Sequence, residues 1–528
     1  MKYIIKYFLN VIFCTLTIFT SGCFQRKDNV LRIGNSVEAS TFDPNFGSSL
    51  QEANIIFELF EGLLVADGKT LQPLPGMAQS WTRSSDGLEY TFILRDNIFW
   101  TNGDAVTAGD FVNTIERGLS KDIASPWIDL YFVLKNAQRC YHNEVPFSEV
   151  GVEVISPKIL KFTLEHPTDY FLSLLTHWAW SPINRKNIEQ FGNFFDRNNR
   201  WTRAENIVTN GPYLLKSHEI GNKVVLQKNE RYWDAHNISI DQVEFFGAIE
   251  PSTEDRMFRT KQLDITESVL PDKISLYREQ GTLQSTAALG SSFYWFNCQK
   301  KPFNDIRVRK ALSLAIDRRA IGELRKRGPG FEAYALVPPG TMYYNSQPLF
   351  QEDVEYARQL LAEAGYPDGK GFPEFTILYN TSESWRMISE AVQDMWRKNL
   401  NLHVHLQSTE WGVFLNDRRH HSFDICRGGW IGDFNDATTF LNLLCFQNNN
   451  NHAQWNNATY NQLLLQASQE NDSNRRSKIL AESEVLIIDE MPIIPLYFDS
   501  HCHLVSPRID GWYSNILDWH PLKFVSFK

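Results

Sequence analysis

The chain has 528 residues, of which 43% are hydrophobic and 13% aromatic, and a formal net charge of -10. That length exceeds one ordinary hydrophobic core and implies two or three domains, with the composition of a globular rather than a disordered protein. The net negative charge, with no long basic run and no interleaving of basic and aromatic residues, excludes the usual nucleic-acid-binding profile.

Lys2 and Lys6 precede a mostly apolar run from Tyr7 to Phe19, which is too short for a comfortable membrane span but suits an export signal. The run ends in Thr20-Ser21-Gly22-Cys23 and is followed by the polar stretch Gln25–Asn29. Small residues ahead of a cysteine resemble the lipobox of bacterial lipoproteins, so residues 1–22 are expected to be removed and Cys23 to carry the lipid. An ordinary export signal with an incidental cysteine is the alternative. No later segment is long and apolar enough to span a bilayer, and the expected body is a soluble domain tethered to a membrane. Cys140, Cys298, Cys426, Cys445 and Cys502 remain, with no CxxC pair and no evident disulfide framework.

After the leader, Leu31-Arg32-Ile33-Gly34 reads as a strand. Ile55, Ile56, Leu59 and Leu63 recur near the helical period and predict a helix over 54–64. A β-rich block follows, in which Tyr90, Phe92 and Leu94 alternate with Thr91, Ile93 and Arg95 ahead of an Asn102-Gly103 turn. Thr107, with Asp110 three positions on, nearly completes a capping box for a helix bearing Phe111, Ile115 and Leu119 on one face. Further strands are expected at 152–155 and 160–164, and Trp178-Ala179-Trp180 with Pro182 marks a boundary. Phe303-Asn304-Asp305 opens a helix over 306–324 whose Arg307 and Arg309 read as a solvated face. Beyond it the texture becomes alternating: helix 353–364 ended by Gly365, strand 375–379, helix 384–400, strand 402–406. That alternation predicts an α/β lobe distinct from the earlier β-rich one.

The stretch Arg427-Gly428-Gly429-Trp430-Ile431-Gly432-Asp433-Phe434-Asn435-Asp436 concentrates charge, an aromatic and glycines that let other backbone approach. Asn435 or Asp436 is placed to cap a helix carrying Phe440, Leu441 and Leu444. Asp433 reads as a carboxylate held for a ligand cation, with Arg427 and Trp430 touching the rest of the ligand; a structural Asp–Arg pair in a tight loop fits the same pattern. No GxSxG, HExxH, P-loop or dinucleotide glycine fingerprint occurs, and no acid/base pair of carboxylates stands out. His403/His405 and His501/His503 each put two imidazoles on one strand face, but a metal site needs further ligands and a supporting shell, so no metal and no cofactor is expected. His420-His421 beside Arg418-Arg419 reads as a basic loop suited to a carboxylate.

Several stretches together resemble the family 5 extracellular solute-binding proteins of ABC importers. They are Phe92-x-Leu94-Arg95, Trp100, Gly103, Val106-Thr107-Ala108-x-Asp110-Phe111, Thr209-Asn210-Gly211-x-Tyr213, Asn229-x-x-Tyr232-Trp233 and Phe303-Asn304-Asp305-x-Arg307-Val308-Arg309. The similarity runs through the whole mature chain and is greatest to oligopeptide-binding members. It implies an α/β, two-lobed periplasmic-binding-protein-like fold of the type II, three-domain kind, closing about a hinge. Domain I would comprise 30–60, 185–296 and 499–528, domain II 61–184 and domain III 297–498.

By the same resemblance, Asp433 would pair with the α-amino group of a peptide, and Arg427 and Arg418 would meet its carboxylate end. Trp430 would line a side-chain pocket, and the Gly429 and Ile431 backbones would pair with the ligand main chain. Ser48 stands for an acidic residue near the amine site, and Leu50 is a further ligand-binding position. Trp127 stands for a pocket tyrosine, and Trp385 for a histidine used with longer peptides. Gly290 and Ile431 occupy the two positions of a family disulfide, and Ala437 that of a proline. The implied function is a monomeric, lipid-anchored binder of short peptides, periplasmic or at the cell surface, serving ABC importer permease subunits; it is not an enzyme. A murein-peptide, nickel-chelate or other small-solute receptor, or a surface adhesin or receptor, is the alternative.

Overall fold

The computed structural model describes residues 29–36, 38–247, 250–325, 331–432, 434–446, 448 and 450–528. The residues expected to form an export signal and Cys23 lie outside the described residues, as does Asp433. Among the described residues, no helix is long and apolar enough to cross a membrane.

Three sheets of four or five strands carry the architecture. In the first lobe, Val30–Gly34 runs parallel to Gln242–Phe246, which continues antiparallel through Lys223–Lys228 to Tyr213–Glu219. A second four-stranded antiparallel sheet, Ala78–Arg83, Glu89–Leu94, Ile159–Thr163 and Val152–Ser156, belongs to the same lobe. Its buried face is built by the predicted alternation: Tyr90, Phe92 and Leu94 are all at most 2% exposed. The helix Ala108–Gly118 packs beside it; the Asp110 carboxylate accepts from the Thr107 N–H at 2.7 Å and its hydroxyl at 3.0 Å.

The second lobe is a five-stranded mixed sheet. Phe375–Asn380 lies parallel to Val404–Thr409 and to Ile425–Ile431, which pairs antiparallel with Leu283–Phe296 and through it with Ile493–Leu504. These last two strands are the longest, and they pass between the lobes. Their upper halves belong to the five-stranded sheet. Below a register shift between Ala287 and Ser291, their lower halves pair with each other and join Thr266 and Ile265 of the first lobe. The lobes also touch along a second edge, where Tyr170 stacks on Phe434 (centroids 4.6 Å apart, planes at 8°) and the Ser173 hydroxyl donates to the Met342 sulfur at 3.1 Å.

Three local expectations are corrected. The first helix is Leu50–Leu59 rather than 54–64, because Ser49 and Glu52 form a full capping box and Phe60 leaves the helix in extended conformation. The helix expected over 306–324 is two, Ile306–Leu314 and Arg318–Arg325. The break lets the fully buried Arg318 donate to the carbonyls of Ala333 and Pro495, while Asp317 caps the second helix through the Ala320 N–H at 2.9 Å. Arg309 is not solvated: it is 3% exposed and donates to the carbonyls of Glu490 and Phe303. Arg307 stays at the surface, paired with Asp305.

Candidate functional site

The segment 427–436 begins as a strand. Ile425–Ile431 pairs along its whole length with Leu283–Phe296, placing Gly429 opposite Ser292 and Ile431 opposite Gly290. Gly428 has to be glycine here, since a Cβ would sit 2.6 Å from the Trp295 indole nitrogen and 2.7 Å from the Phe293 ring. On the strand's other side, pairing with Phe375–Asn380 covers only Ile425 and Cys426. From Arg427 to Ile431 that edge has no strand beside it among the described residues, leaving backbone donors and acceptors available to an extended ligand.

The edge ends at a cavity of about 480 Å³ between the lobes. Ala288, Leu289 and Gly290, with Asp499, Ser500 and His501, form one side of it on the crossing strands. Ile431, Gly432, Phe434 and Asn435 form another, and the first lobe supplies Ser48, Leu50 and Trp127. Ser48 is held by its N–H donating to Glu52 at 2.8 Å. Burial acts to raise the Glu52 pKa, but hydrogen bonds from Ser40, Ser48 and Ser49 outweigh it and keep the carboxyl below the usual range. The Trp127 indole donates to the Gly47 carbonyl at 2.5 Å, and Trp178 donates to the same oxygen at 3.0 Å.

Trp178, His177 and Trp519 are lining residues that the sequence reading missed. Trp178 stands edge-on to Trp127 (5.1 Å, 88°), stacks on His177 (3.7 Å) and contacts Trp519 (5.9 Å). Burial lowers the His177 pKa to about 3, so this wall is neutral as well as aromatic. The doubled tryptophan at 178–180 is the available signal, and as a boundary marker it does not point to a site.

The two arginines separate. Arg427 Nε donates to Asn380 Oδ1 at 2.8 Å, and its guanidinium lies 5.4, 5.1 and 5.4 Å from the ring centres of Trp385, Trp411 and Phe414. Trp385 thus joins Arg427 through an aromatic face and packs near Tyr294 and Tyr497. Burial, then the charge of Arg418, lowers the Arg427 pKa, and no ion pair within 4.0 Å engages it among the described residues. Arg418 lines a different cavity, of about 910 Å³, within the second lobe. Trp430 is tied down by its indole donating to the Thr439 hydroxyl at 3.3 Å.

The end of the segment is structural. Asp436 does not cap a long helix; its carboxylate is 1% exposed and takes two hydrogen bonds from Arg476, at 2.7 and 2.9 Å. Asp436 also accepts from the Thr438 N–H at 3.0 Å, ahead of a single helical turn, Thr438–Leu441, whose cap position is Ala437. Leu444 falls in a separate 3-10 turn, Asn442–Leu444. Asn435 instead accepts from the Met342 N–H at 3.0 Å, across to another lining residue.

The histidine pairs also part company. His405 meets Glu374 at the surface, at 2.8 Å. His503 is buried with Asp518 and His520, whose ligand-capable atoms lie within 4.8 Å of one another. Asp518 accepts from both rings (2.8 and 2.9 Å), and His503 Nδ1 meets the Thr266 carbonyl at 2.8 Å, so the group is a buried charge network at the foot of the crossing strands, with His520 Nδ1 left without a hydrogen-bond partner. The five described cysteines are free thiols.

The model of bacterial extracellular solute-binding proteins, family 5, matches residues 72–452. The periplasmic oligopeptide-binding protein OppA of Salmonella typhimurium is 33% identical over 500 residues, covering 92% of this chain and 90% of its own. The structure titled MppA periplasmic murein tripeptide binding protein, unliganded open form, superposes with a TM-score of 0.85 at 31% identity, over 95% of this chain and 98% of its own. Another structure of the Escherichia coli murein tripeptide binding protein MppA gives 0.75 at the same 31% identity, over 95% and 99%. A paired glycine-rich strand with a bare edge, facing an inter-lobe cavity, is equipped to hold an extended solute. Sequence and fold agree on the conclusion that the chain belongs to the bacterial extracellular solute-binding proteins of family 5, which are binding proteins and not enzymes.

Proposed function

We propose that the chain captures short peptides with a free amino terminus in the inter-lobe cleft and, tethered through Cys23, delivers them to an ABC importer. The observation that carries this reading is the bare strand edge Arg427–Ile431, with an arginine at one end and the cavity at the other. A peptide laid along it would gain main-chain hydrogen bonds independent of its sequence, with Gly429 and Ile431 as the pairing residues. Asp433 would take its ammonium and Arg427 its carboxylate. Trp430, Trp385, Trp127, Leu50 and Ser48 would border the side chains. In this reading 30–60, 185–296 and 499–528 form domain I, 61–184 domain II and 297–498 domain III.

Native mass spectrometry of protein purified from cells tests the proposal. Short peptides should be released from the purified protein. A metal chelate in place of peptide would redirect the reading to another solute, and partner-protein binding with an empty cleft would point to an adhesin. Mass measurement of the mature amino terminus, expected as acylated Cys23, tests the anchor.

A further inference from the structure

The histidine pair of the last long strand lacks sequence neighbours that would complete a metal site, but the fold supplies them. His501 and His503 share one face of the strand Ile493–Leu504, and the C-terminal return brings Asp518 and His520 against that face. His503 Nε2 lies 2.8 Å and His520 Nε2 2.9 Å from Asp518 Oδ1, while His501 Nδ1 lies 3.5 Å from Asp518 Oδ2. Asp518 is 3% exposed, and within 4.0 Å its ion-pair partners among the described residues are these three histidines, with no lysine or arginine. Elsewhere in the chain the buried aspartates Asp43, Asp264 and Asp436 are each met by an arginine. A guanidinium cannot exchange its proton for a metal ion; an imidazole can.

The surroundings suit a ligand set. His503 Nδ1 is held by the Thr266 carbonyl at 2.8 Å, the outer hydrogen bond that fixes the tautomer of a ligating imidazole and leaves Nε2 for a metal. Glu267, which also acts on His503 through its charge, is itself held by Gln51 Nε2 at 3.0 Å and stands ready to offset a divalent charge. The contacts to Asp518 have hydrogen-bond length. Zinc bonds of ~2.0–2.2 Å in a tetrahedron set ligand atoms roughly 3.3 Å apart, so the donors need to part by only about 0.5 Å.

We propose that His503, His520 and Asp518, with His501 as the fourth ligand, bind a zinc-class divalent cation that ties the C-terminal return to the crossing strands. The ion would take the place of the proton that His503 shares with Asp518. Three imidazoles with a single carboxylate favour such a borderline metal over calcium or magnesium. His501 lines the cleft, as does Trp519 between the two C-terminal ligands, so the ion would brace that wall whatever solute the cleft holds.

Zinc titration of the chelator-stripped mature protein against a chromophoric chelator tests the site, with Co²⁺ as an optical probe of its ligands. One tight equivalent is expected, with a rise in Tm on adding zinc and cobalt bands of tetrahedral coordination free of thiolate charge transfer. His520→Gln should abolish that equivalent, and His501→Gln should weaken it at least about tenfold. His405→Gln, in the surface pair with Glu374, should leave it unchanged. Should His520→Gln fail to fold, His501→Gln still decides, because that side chain is 27% exposed. The proposal is overturned by the lack of a tight equivalent in the wild type, or by wild-type affinity in His520→Gln or His501→Gln. Loss of zinc in His405→Gln would place the metal at the surface, and a thiolate band from cobalt would place it on the cysteines; either overturns the site as well.

Discussion

Replacing Arg427 by methionine should separate ligand binding from folding. In the free protein the guanidinium has three aromatic neighbours and one hydrogen bond, to Asn380. Three cation–π contacts of ~0.5–1 kcal/mol each and a charged hydrogen bond of ~1.5–3 kcal/mol are lost. Against that, a half-buried cation is removed, and with it a desolvation cost of several kcal/mol and a repulsion from Arg418, which lies over the same Phe414 ring, of about 1–2 kcal/mol at an effective dielectric of ~20. Methionine keeps a sulfur against the rings, worth ~0.3–1.5 kcal/mol. The opposing sums nearly cancel, so stability should change by no more than about 1–2 kcal/mol. Binding has no such compensation. Loss of one partner from a desolvated ion pair costs about 2–5 kcal/mol, or roughly 30- to 4000-fold in Kd. Titration calorimetry with a free-acid peptide and its C-terminal amide reads this directly: the free acid should lose affinity and the amide, weak from the start, should change little. Equal losses for acid and amide would refute the assignment of Arg427 to the carboxylate.

Further outcomes follow from neighbouring groups. N-acetylation of the peptide, or Asp433→Ala, should each weaken binding by ~2–5 kcal/mol, and combining the two should add little, measured in the same calorimeter. Arg476→Met leaves the buried Asp436 carboxylate without its main partner and should lower unfolding free energy by about 3–5 kcal/mol in urea melts, a loss that Asp436→Asn in the same background should partly restore. Burial acts to lower the His503 pKa, but Asp518, Glu267 and the Thr266 carbonyl overcome it and raise the value to about 10. A raised histidine contributes stability that is complete below about pH 6.5 and is lost as pH rises through 10. Thermal melts from pH 6 to 10.5 should therefore show a falling Tm, with a flatter profile in His503→Gln.

The sequence disclosed those parts of the molecule in which local chemistry decides the outcome. The Thr107–Asp110 cap, Gly365 after the helix Val354–Glu363 and the alternation around Phe92 each follow from a few adjacent residues. What escaped was set by distant partners. Arg318 breaks a continuous helical pattern because carbonyls at Ala333 and Pro495 claim its guanidinium. Asp436 looks like a helix cap until Arg476, forty positions away, takes its carboxylate. Arg418 and Arg427 stand nine positions apart, and nothing in that spacing reveals that Arg418 faces a separate chamber. Trp178 carried the opposite lesson: its residue type was noticed, while its neighbours Trp127 and Trp519 come from remote segments.

Among the described residues, the lobes are fastened along the crossing strands and along one edge, where the Tyr170–Phe434 stack lies with the Ser173–Met342, Tyr343–Gln72 and Ser473–Asp169 contacts. A rigid body held at two separated points keeps one freedom, rotation about the line joining them. If both fastenings persist, the protein moves like a door on a pair of pins rather than a head on a flexible neck. Swing amplitude then becomes a one-parameter quantity, so a single spectroscopic distance across the mouth would report the whole motion.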